Sequence, residues 1–258
     1  MNNKKNLLKK LSVGAIALGA GFISLNSLEN LPSENKNDLI VEGYISKIPG
    51  DKLSDSFYKN EKQTLLESVE SKIEKFYDDN FDIDVSFSNP SELNKESLGK
   101  NNVAINYMTM KNMLENPREV LYSFGGQELI DELETEIKKA RKVEGWNYET
   151  AEKIIFDTVK EGFYESFSGE GGFGSEIAHR AWVFPSKIYE RKAENNDELA
   201  NAYAFTMCHE LGHIFGLEHT NGKNNFMNPH LRLEDILDFN FEMDSFQVKK
   251  IRDYLNKD

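Results

Sequence analysis

The first half of the chain carries the apolar pattern of three β-strands and one helix. Residues 39–45 are rich in Leu, Ile and Val, residues 81–87 alternate apolar and polar side chains, and residues 103–107 form a third apolar run. All three runs predict strands. Successive side chains of a strand point to opposite faces, so the alternation over residues 81–87 predicts a half-buried strand. Between the first two runs, apolar residues recur at helical spacing over residues 61–79, which predicts an amphipathic helix.

Helical spacing dominates the second half of the chain. Apolar stripes through residues 129–137 and 151–163 predict two paired helices. A third stripe covers residues 199–214 and follows Asp197, a residue type that caps helix N-termini. A last helix is predicted after Asp244, which can cap it in the same way.

The first thirty residues differ from the rest. Four lysines precede an uncharged and mostly apolar run over residues 11–25, which is the pattern of a secretory signal and is short for a full membrane span. We therefore predict a signal peptide over residues 1–28, with an uncleaved membrane anchor as the alternative. Residues 29–37 are polar and predict a linker or the start of a short pro-segment. In either case we expect an exported protein, secreted or at the cell surface, that meets a membrane only through this segment.

Composition narrows the class of partner. The 258 residues suit one sizeable domain, for which we expect a monomer, and 39% hydrophobic with 29% charged residues is typical of a globular protein. A formal net charge of -13 argues against a nucleic-acid partner, which needs a basic surface. Cys208 is the one cysteine of the chain, so no internal disulfide can form.

One stretch of the chain, HELGHIFGLEH, carries candidate metal ligands. Positions four apart return to nearly the same face of a helix, so His209 and His213 can offer two imidazoles to one ion. Gly216 permits a sharp turn that lets the chain double back and present His219 as a third ligand. Three imidazoles and one open position suit a catalytic zinc, and Glu210 lies beside the same face, where its carboxylate can reach a zinc-bound water.

Two other interpretations of this stretch stay open. Some zinc enzymes that share the two helical histidines use a Glu on a later helix as the third ligand, and Glu234 could take that role. An exported binding protein could also reuse a peptidase scaffold without catalysis, since a fold does not by itself determine a function. The presence of Glu210 together with all three histidines favours a working enzyme.

The complete spacing of these residues resembles that of the metzincin metallopeptidases. A second signature of that family, a Met-containing turn beneath the zinc, is matched by Asn-Phe-Met-Asn-Pro around Met227, and the resemblance implies that Met227 forms a hydrophobic floor and is not a ligand. It also implies an α+β fold with a mixed, mainly parallel twisted sheet, backing helices, an active-site helix, a Met-turn and a C-terminal helix. The catalytic domain would then span residues 38–258, with the paired helices as an insertion at about 126–167.

A Gly-rich stretch before Pro185 is similar to the loop and edge strand of one metzincin family, the matrixins. Ile177, Ala178 and His179 match the Leu-Ala-His of that strand. The resemblance implies that Ile177 and Ala178 pair with the substrate backbone and that Pro229 forms the wall of a substrate pocket. His179 matches a structural zinc ligand of that family, but we do not find the partner motifs, so we expect it to pack or to face solvent.

Two further matrixin properties have a weaker counterpart in this chain. A calcium ion could bind at the Gly-rich loop, although Ser168 stands where an acidic ligand is expected. Latency in many of these enzymes comes from a cysteine in a pro-segment, but Cys208 directly precedes His209 and is predicted to be a buried small hydrophobe. Asp38 and Asp51 are the candidates for a blocking residue.

Together these features predict an exported zinc-dependent endopeptidase that cleaves peptide bonds in proteins or peptides. Zinc held by His209, His213 and His219 would lower the pKa of its bound water toward neutrality. Glu210 would accept the proton as the water attacks the scissile carbonyl, and would then deliver it to the leaving amine.

Overall fold

The computed structural model describes residues 38–59, 65–88, 102–115, 117–167 and 171–256. These residues divide into two compact units: the larger contains those within 38–109 and 171–256, and the smaller contains those within 110–167. The predicted signal and linker, residues 1–37, and the candidate calcium position Ser168 lie outside the described residues. Within the part of the chain that is described, no helix combines the length and the apolar character that a membrane span needs.

The described part of the chain forms the following strands and helices. The strands are β1 (Asp38–Ile45), β2 (Asp82–Ser88), β3 (Asn102–Tyr107), β4 (Gly172–Ser175) and β5 (Arg180–Val183). The helices are α1 (Lys52–Lys59), α2 (Leu65–Asp78), α3 (Met110–Met113), α4 (Pro117–Glu144), α5 (Tyr148–Phe167), α6 (Lys187–Lys192), α7 (Asn196–Ile214), α8 (Leu233–Leu237) and α9 (Ser245–Leu255). The strands and the helix that the apolar pattern predicts in the first half of the chain are confirmed as β1, α2, β2 and β3.

The larger unit is built on one sheet with the strand order β2-β1-β3-β5-β4. Neighbouring strands are parallel except at one edge, where β4 runs antiparallel to β5. A parallel pair needs a crossover connection, and α2 lies in the connection between β1 and β2. The predicted α+β fold, with a mixed and mainly parallel sheet backed by helices, is confirmed.

Helices α2 and α7 pack against each other and on the sheet, and their contact forms the core of the larger unit. The helical stripe of α2 explains this arrangement, because Val69, Ile73 and Tyr77 recur at four-residue intervals and are fully buried. The Tyr77 hydroxyl also donates a hydrogen bond to the Cys208 carbonyl of α7 at 3.2 Å. Packing in the core therefore positions helix α7 without a contribution from a metal ion.

The edge of the sheet differs from the sequence prediction. The matrixin resemblance places an edge strand at Ile177 and Ala178, but both residues lie in the turn between β4 and β5. Strand β5 is hydrogen-bonded on both sides, to β3 and to β4, so it cannot be the edge. The edge on this side of the sheet is β4, which stands last in the strand order. The glycines of β4 allow it to lie directly on α7.

Asp51 has a structural position that the sequence does not predict. It is 1% exposed, and its carboxylate accepts hydrogen bonds from the Ser54 N–H and from the Tyr107 hydroxyl, each at 2.8 Å. Burial raises the pKa of this carboxyl even though both hydrogen bonds lower it. Asp51 thus ties the start of α1 to the end of β3. The side chain of Asp38, the other candidate for a blocking residue, lies outside the described residues.

The smaller unit is helical. Helices α4 and α5 pack against each other, and α4 is interrupted at Gly126, whose φ of 59° and ψ of -151° are not helical. Arg118 joins the two helices by ion pairs to Glu134 at 2.7 Å and to Glu152 at 2.6 Å. The helices predicted from the apolar stripes are these two, and their origin as an insertion in the catalytic domain stays a prediction.

Candidate metal centre

Helix α7 carries the first part of the motif. Its N-cap is Asn195, whose side chain accepts a hydrogen bond from the Glu198 N–H at 2.9 Å. The sequence prediction of Asp197 as the cap is therefore wrong by two residues, and Asp197 lies in the first turn, where its charge complements the helix dipole. The helix continues without interruption through His209 and His213, so both side chains lie on one face as their spacing predicts.

A tight turn ends α7 and redirects the chain. Gly216 has a φ of 74°, its N–H donates to the His213 carbonyl at 3.0 Å, and the Leu217 N–H donates to the Gly212 carbonyl at 2.9 Å. This pair of bonds is the Schellman motif, in which a left-handed residue after the helix satisfies its last carbonyl groups. The turn folds the chain back along the helix end and brings His219 beside the two helical histidines.

The three histidines converge. One ligand nitrogen of each residue lies within 4.8 Å of the others, and His219 Nε2 is 3.1 Å from both His209 Nε2 and His213 Nε2. A tetrahedral zinc with Zn–N bonds of about 2.0–2.1 Å separates its ligand atoms by about 3.4 Å, which is close to this spacing. Among the described residues this is the one group of three or more His, Cys, Asp or Glu side chains that could hold a metal ion, and Glu234 is not part of it.

Backbone carbonyls decide which nitrogen of each helical histidine faces the site. His209 Nδ1 lies 2.8 Å from the Phe226 carbonyl oxygen, and His213 Nδ1 lies 2.9 Å from the Leu217 carbonyl oxygen. A carbonyl can only accept, so Nδ1 carries the proton in both rings and Nε2 keeps a free lone pair. His219 can donate one Nε2 proton to one of these lone pairs at most, whereas a divalent cation satisfies all three nitrogens. The donor set therefore fits zinc.

Burial keeps the ligands neutral. Desolvation lowers the pKa of His209 to about 4 and that of His213 to about 3. Hydrogen bonding to Phe226 and Leu217 raises both values, but the effect of burial is larger. Both rings are consequently unprotonated at neutral pH, which is the form that binds a metal.

The Met-turn packs against α7. Met227 is fully buried, and its sulfur packs so closely on Gly212 that any Cβ there would overlap it. The Met227 carbonyl accepts a hydrogen bond from the Thr220 N–H at 3.0 Å, which connects the turn to the segment that carries His219. Pro229 follows on the surface, as does His230.

Strand β4 lies across α7 at the motif. A Cβ at Gly172 would come 3.0 Å from Glu210 Cγ, and one at Gly174 would overlap the Glu210 carbonyl and lie 2.8 Å from His213 Cβ. The Glu210 side chain lies against Gly172 of this strand, and the residue is 5% exposed. Sequence reasoning missed the place of β4, although the alternating glycines at 172 and 174 were a usable signal for close contact with another backbone.

Two further residues singled out in the sequence lie outside the histidine group. His179 hydrogen-bonds through Nδ1 to the Tyr254 hydroxyl of α9 and has a φ of 49°. It is half-buried, in keeping with the expectation that it packs. Cys208 is fully buried, and burial raises the pKa of its thiol, as expected for a small hydrophobe of the core.

A helix with two inward histidines, a turn that supplies a third, a buried Met-turn and a mainly parallel sheet with an antiparallel edge define a zinc-dependent metallopeptidase of the metzincin class. The Matrixin family model matches residues 51–252, which is more than half of the chain. The chain therefore belongs to the matrixin family.

One solved structure that is similar to this chain is a zinc-dependent peptidase from Methanocorpusculum labreanum (strain Z). The two chains share 14% sequence identity over 84% of this chain and 100% of that chain, with a TM-score of 0.38. This similarity is too low to transfer fold or function. Among curated proteins no significant match is found.

The turn at Gly216 generates a prediction about stability. Gly216→Ala should lower the free energy of unfolding of the zinc-free protein by about 1–2 kcal/mol, because a left-handed φ is unfavourable for a residue with a Cβ. Gly216→Asn should lose less, since Asn tolerates this region better. Both variants place the same Cβ 3.2 Å from the Glu176 carboxylate, so urea unfolding separates the two causes. Equal losses in the two variants would assign the effect to Glu176 rather than to the backbone.

Proposed function

We propose that this matrixin is an endopeptidase that hydrolyses internal peptide bonds of proteins or peptides with one catalytic zinc bound by His209, His213 and His219. The observation that carries the proposal is the convergence of the three Nε2 atoms, with the opposite nitrogens of His209 and His213 engaged by backbone carbonyls. Three ligands leave one position of a tetrahedral ion for water and substrate, as a catalytic zinc requires.

Glu210 is proposed as the general base and then the general acid. When bound, zinc acts as a Lewis acid that makes water a better nucleophile and polarises the scissile carbonyl. Glu210 takes the proton from the attacking water and passes it to the amine that leaves, so the proton count balances over the two steps. The position of Glu210 supports this role, because Glu210 is next to His209 in sequence and its buried side chain packs against Gly172 of β4.

The substrate is proposed to bind as an additional strand along β4. This strand ends the sheet order and lies directly over Glu210 and His213, so a peptide paired with it would pass the histidine group. Extended peptides bind exposed sheet edges through backbone hydrogen bonds, which suits an enzyme that accepts more than one sequence. Ile177 and Ala178 then border the end of this binding edge instead of forming it, and Pro229 is proposed as a wall of the adjoining pocket.

Removal of the base gives the main test. Glu210→Ala should lower kcat/KM by at least the roughly 10²–10⁴-fold contribution of a positioned acid–base group. Bound zinc should be unchanged, because Glu210 is not a proposed ligand. The measurement is cleavage of a diverse peptide mixture by mass spectrometry, with zinc content determined on the same samples.

The control for this test is Glu234→Ala, an exposed carboxylate outside the histidine group. It should cleave the same peptides at the parental rate. Zinc bound without cleavage by the parent itself would count against the enzyme and for the alternative of an exported binding protein on a metzincin scaffold.

The ligand set is tested by zinc content alone. His219→Ala should lose most of its bound zinc after dialysis, because two imidazoles bind the ion far more weakly than three. Glu234→Ala should retain a full equivalent. The reverse pattern would establish the rival class of zinc peptidase, in which Glu234 supplies the third ligand.

We further propose that the enzyme is an exported monomer whose residues 1–28 act as a signal. The support is the lysine-flanked apolar run of the sequence. Mass spectrometry of the protein recovered from the culture medium should find a chain that starts near residue 29, and an intact Met1 in the membrane fraction would favour the anchor. Intact protein that stays soluble inside the cell would contradict export. A calcium ion at the Gly-rich loop remains a prediction.

A further inference from the structure

We propose that Asn225 and Gln247 form a positioning pair that holds the ring of His209 in its zinc-binding orientation. The inference rests on the zinc-ligand role proposed for His209, and it assigns a task to two buried amide side chains that the mechanism does not use. Asn225 precedes the Met-turn methionine by two residues, and Gln247 lies in the first turn of α9.

The two amides bind each other in both directions. Gln247 Nε2 donates to Asn225 Oδ1 at 2.8 Å, and Asn225 Nδ2 donates to Gln247 Oε1 at 2.8 Å. Asn225 is 7% exposed and Gln247 is 4% exposed, so water does not compete for these bonds. A reciprocal pair fixes the orientation of the Asn225 amide. A flip of this amide by 180° would place its NH₂ group against the NH₂ group of Gln247 and its oxygen against the oxygen of Gln247.

The fixed amide of Asn225 in turn fixes one peptide plane. Asn225 Oδ1 accepts the N–H of Met227 at 2.9 Å. That N–H belongs to the same peptide unit as the Phe226 carbonyl, which accepts the Nδ1 proton of His209 at 2.8 Å. A trans peptide is planar and its N–H and C=O point in opposite directions, so holding the N–H aims the carbonyl. The orientation of His209 is therefore set by Asn225 through one rigid group.

Helix α9 anchors this arrangement. Gln247 Oε1 also accepts the Asp244 N–H at 3.0 Å, and Asp244 Oδ1 accepts the Gln247 N–H at 2.9 Å, which together form the capping box of the helix. The backbone reinforces the contact, since the Phe226 N–H donates to the Glu242 carbonyl at 3.1 Å. The N-terminus of α9 thus determines where the Met-turn presents its carbonyl to the zinc ligand.

His213 provides an internal comparison. Its Nδ1 is held by the Leu217 carbonyl of the Schellman turn, and none of the contacts of Asn225 or Gln247 involves that turn. A perturbation that acts through the positioning pair should consequently affect His209 and leave His213 unchanged. General loosening of the domain would affect both.

The experiment compares Asn225→Ala with Asn225→Asp in the full chain labelled with ¹⁵N-histidine. Both variants lose the Nδ2 donor, which binds Gln247 Oε1 at 2.8 Å and Asp244 Oδ2 at 3.3 Å. Asp keeps an acceptor for the Met227 N–H, although it sets a second carboxylate beside Asp244, and Ala keeps none. Imidazole NMR spectra of the zinc-free protein report the tautomer of each histidine, and chelator competition measures the dissociation constant for zinc. Asn225→Ala should mix the tautomers of His209 alone and weaken zinc binding by roughly 10–100-fold, as for other residues that orient a metal ligand. Asn225→Asp should weaken binding by less.

The control is Ser54→Ala, which removes two buried hydrogen bonds of the same unit, to the Ser46 carbonyl at 2.9 Å and from the Ile48 N–H at 2.8 Å. It should leave both readouts at their parental values even where it lowers stability. If Asn225→Ala does not fold, Gln247→Met decides by the same two readouts, since it removes the group that orients Asn225.

Parental zinc affinity and an unchanged His209 tautomer in the folded variants would overturn the proposal, and so would equal effects on His209 and His213. These readouts need no peptide cleavage. A protein that binds zinc but cleaves no peptide would therefore refute the proposed endopeptidase activity and leave the proposed positioning role of Asn225 and Gln247 unaffected. A parent that binds no zinc at His209 would refute both.

Discussion

The zinc site depends on the hydrogen bonds that two backbone carbonyls accept from the ligands on α7. A neutral imidazole has one N–H, and the group that accepts a hydrogen bond from it decides which nitrogen keeps a lone pair. The carbonyls of Phe226 and Leu217 accept hydrogen bonds from Nδ1 of His209 and His213, so both Nε2 atoms turn toward His219. Burial lowers the proton affinity of the same two rings, and they stay neutral at the pH where a metal must bind.

Helix α7 transmits the rigidity of the core to this site. The helix packs on α2 and on the sheet, and its last turns carry the ligands. Contacts on two sides leave the helix little freedom there, because the sulfur of Met227 presses on Gly212 and the glycines of β4 touch Glu210 and His213. The ligand geometry is thus a consequence of close packing, in which a shift of one element must displace its neighbours.

The edge position of β4 connects the fold to the proposed chemistry. An exposed sheet edge is a liability in most proteins, since it invites pairing with other chains. Here the edge strand is short and lies over the proposed general base, so the same property would serve to bind a substrate backbone beside Glu210. Specificity would then be decided by the side chains around the edge, of which Pro229 and the β4–β5 turn are the exposed parts.

Local pattern alone was sufficient for much of this protein. Residue spacing places His209 and His213 on one helix face, and Gly216 indicates the turn that returns His219. Apolar runs predict β1 and β3 and alternation predicts β2, because helix and strand patterns act over neighbouring residues. Contacts between residues distant in sequence could not be predicted in this way. Strand pairing decides that β4 rather than β5 is the edge, and the carbonyl of Phe226 meets His209 only after the Met-turn folds under α7. The side-chain amides of Asn225 and Gln247 meet only when α9 packs against that turn, and no sequence pattern of Asn or Gln predicts such a pair. The sequence determined which groups are available to bind the metal, and the tertiary structure decided how each of them is aimed, because orientation depends on hydrogen bonds between segments that only the packed fold brings together.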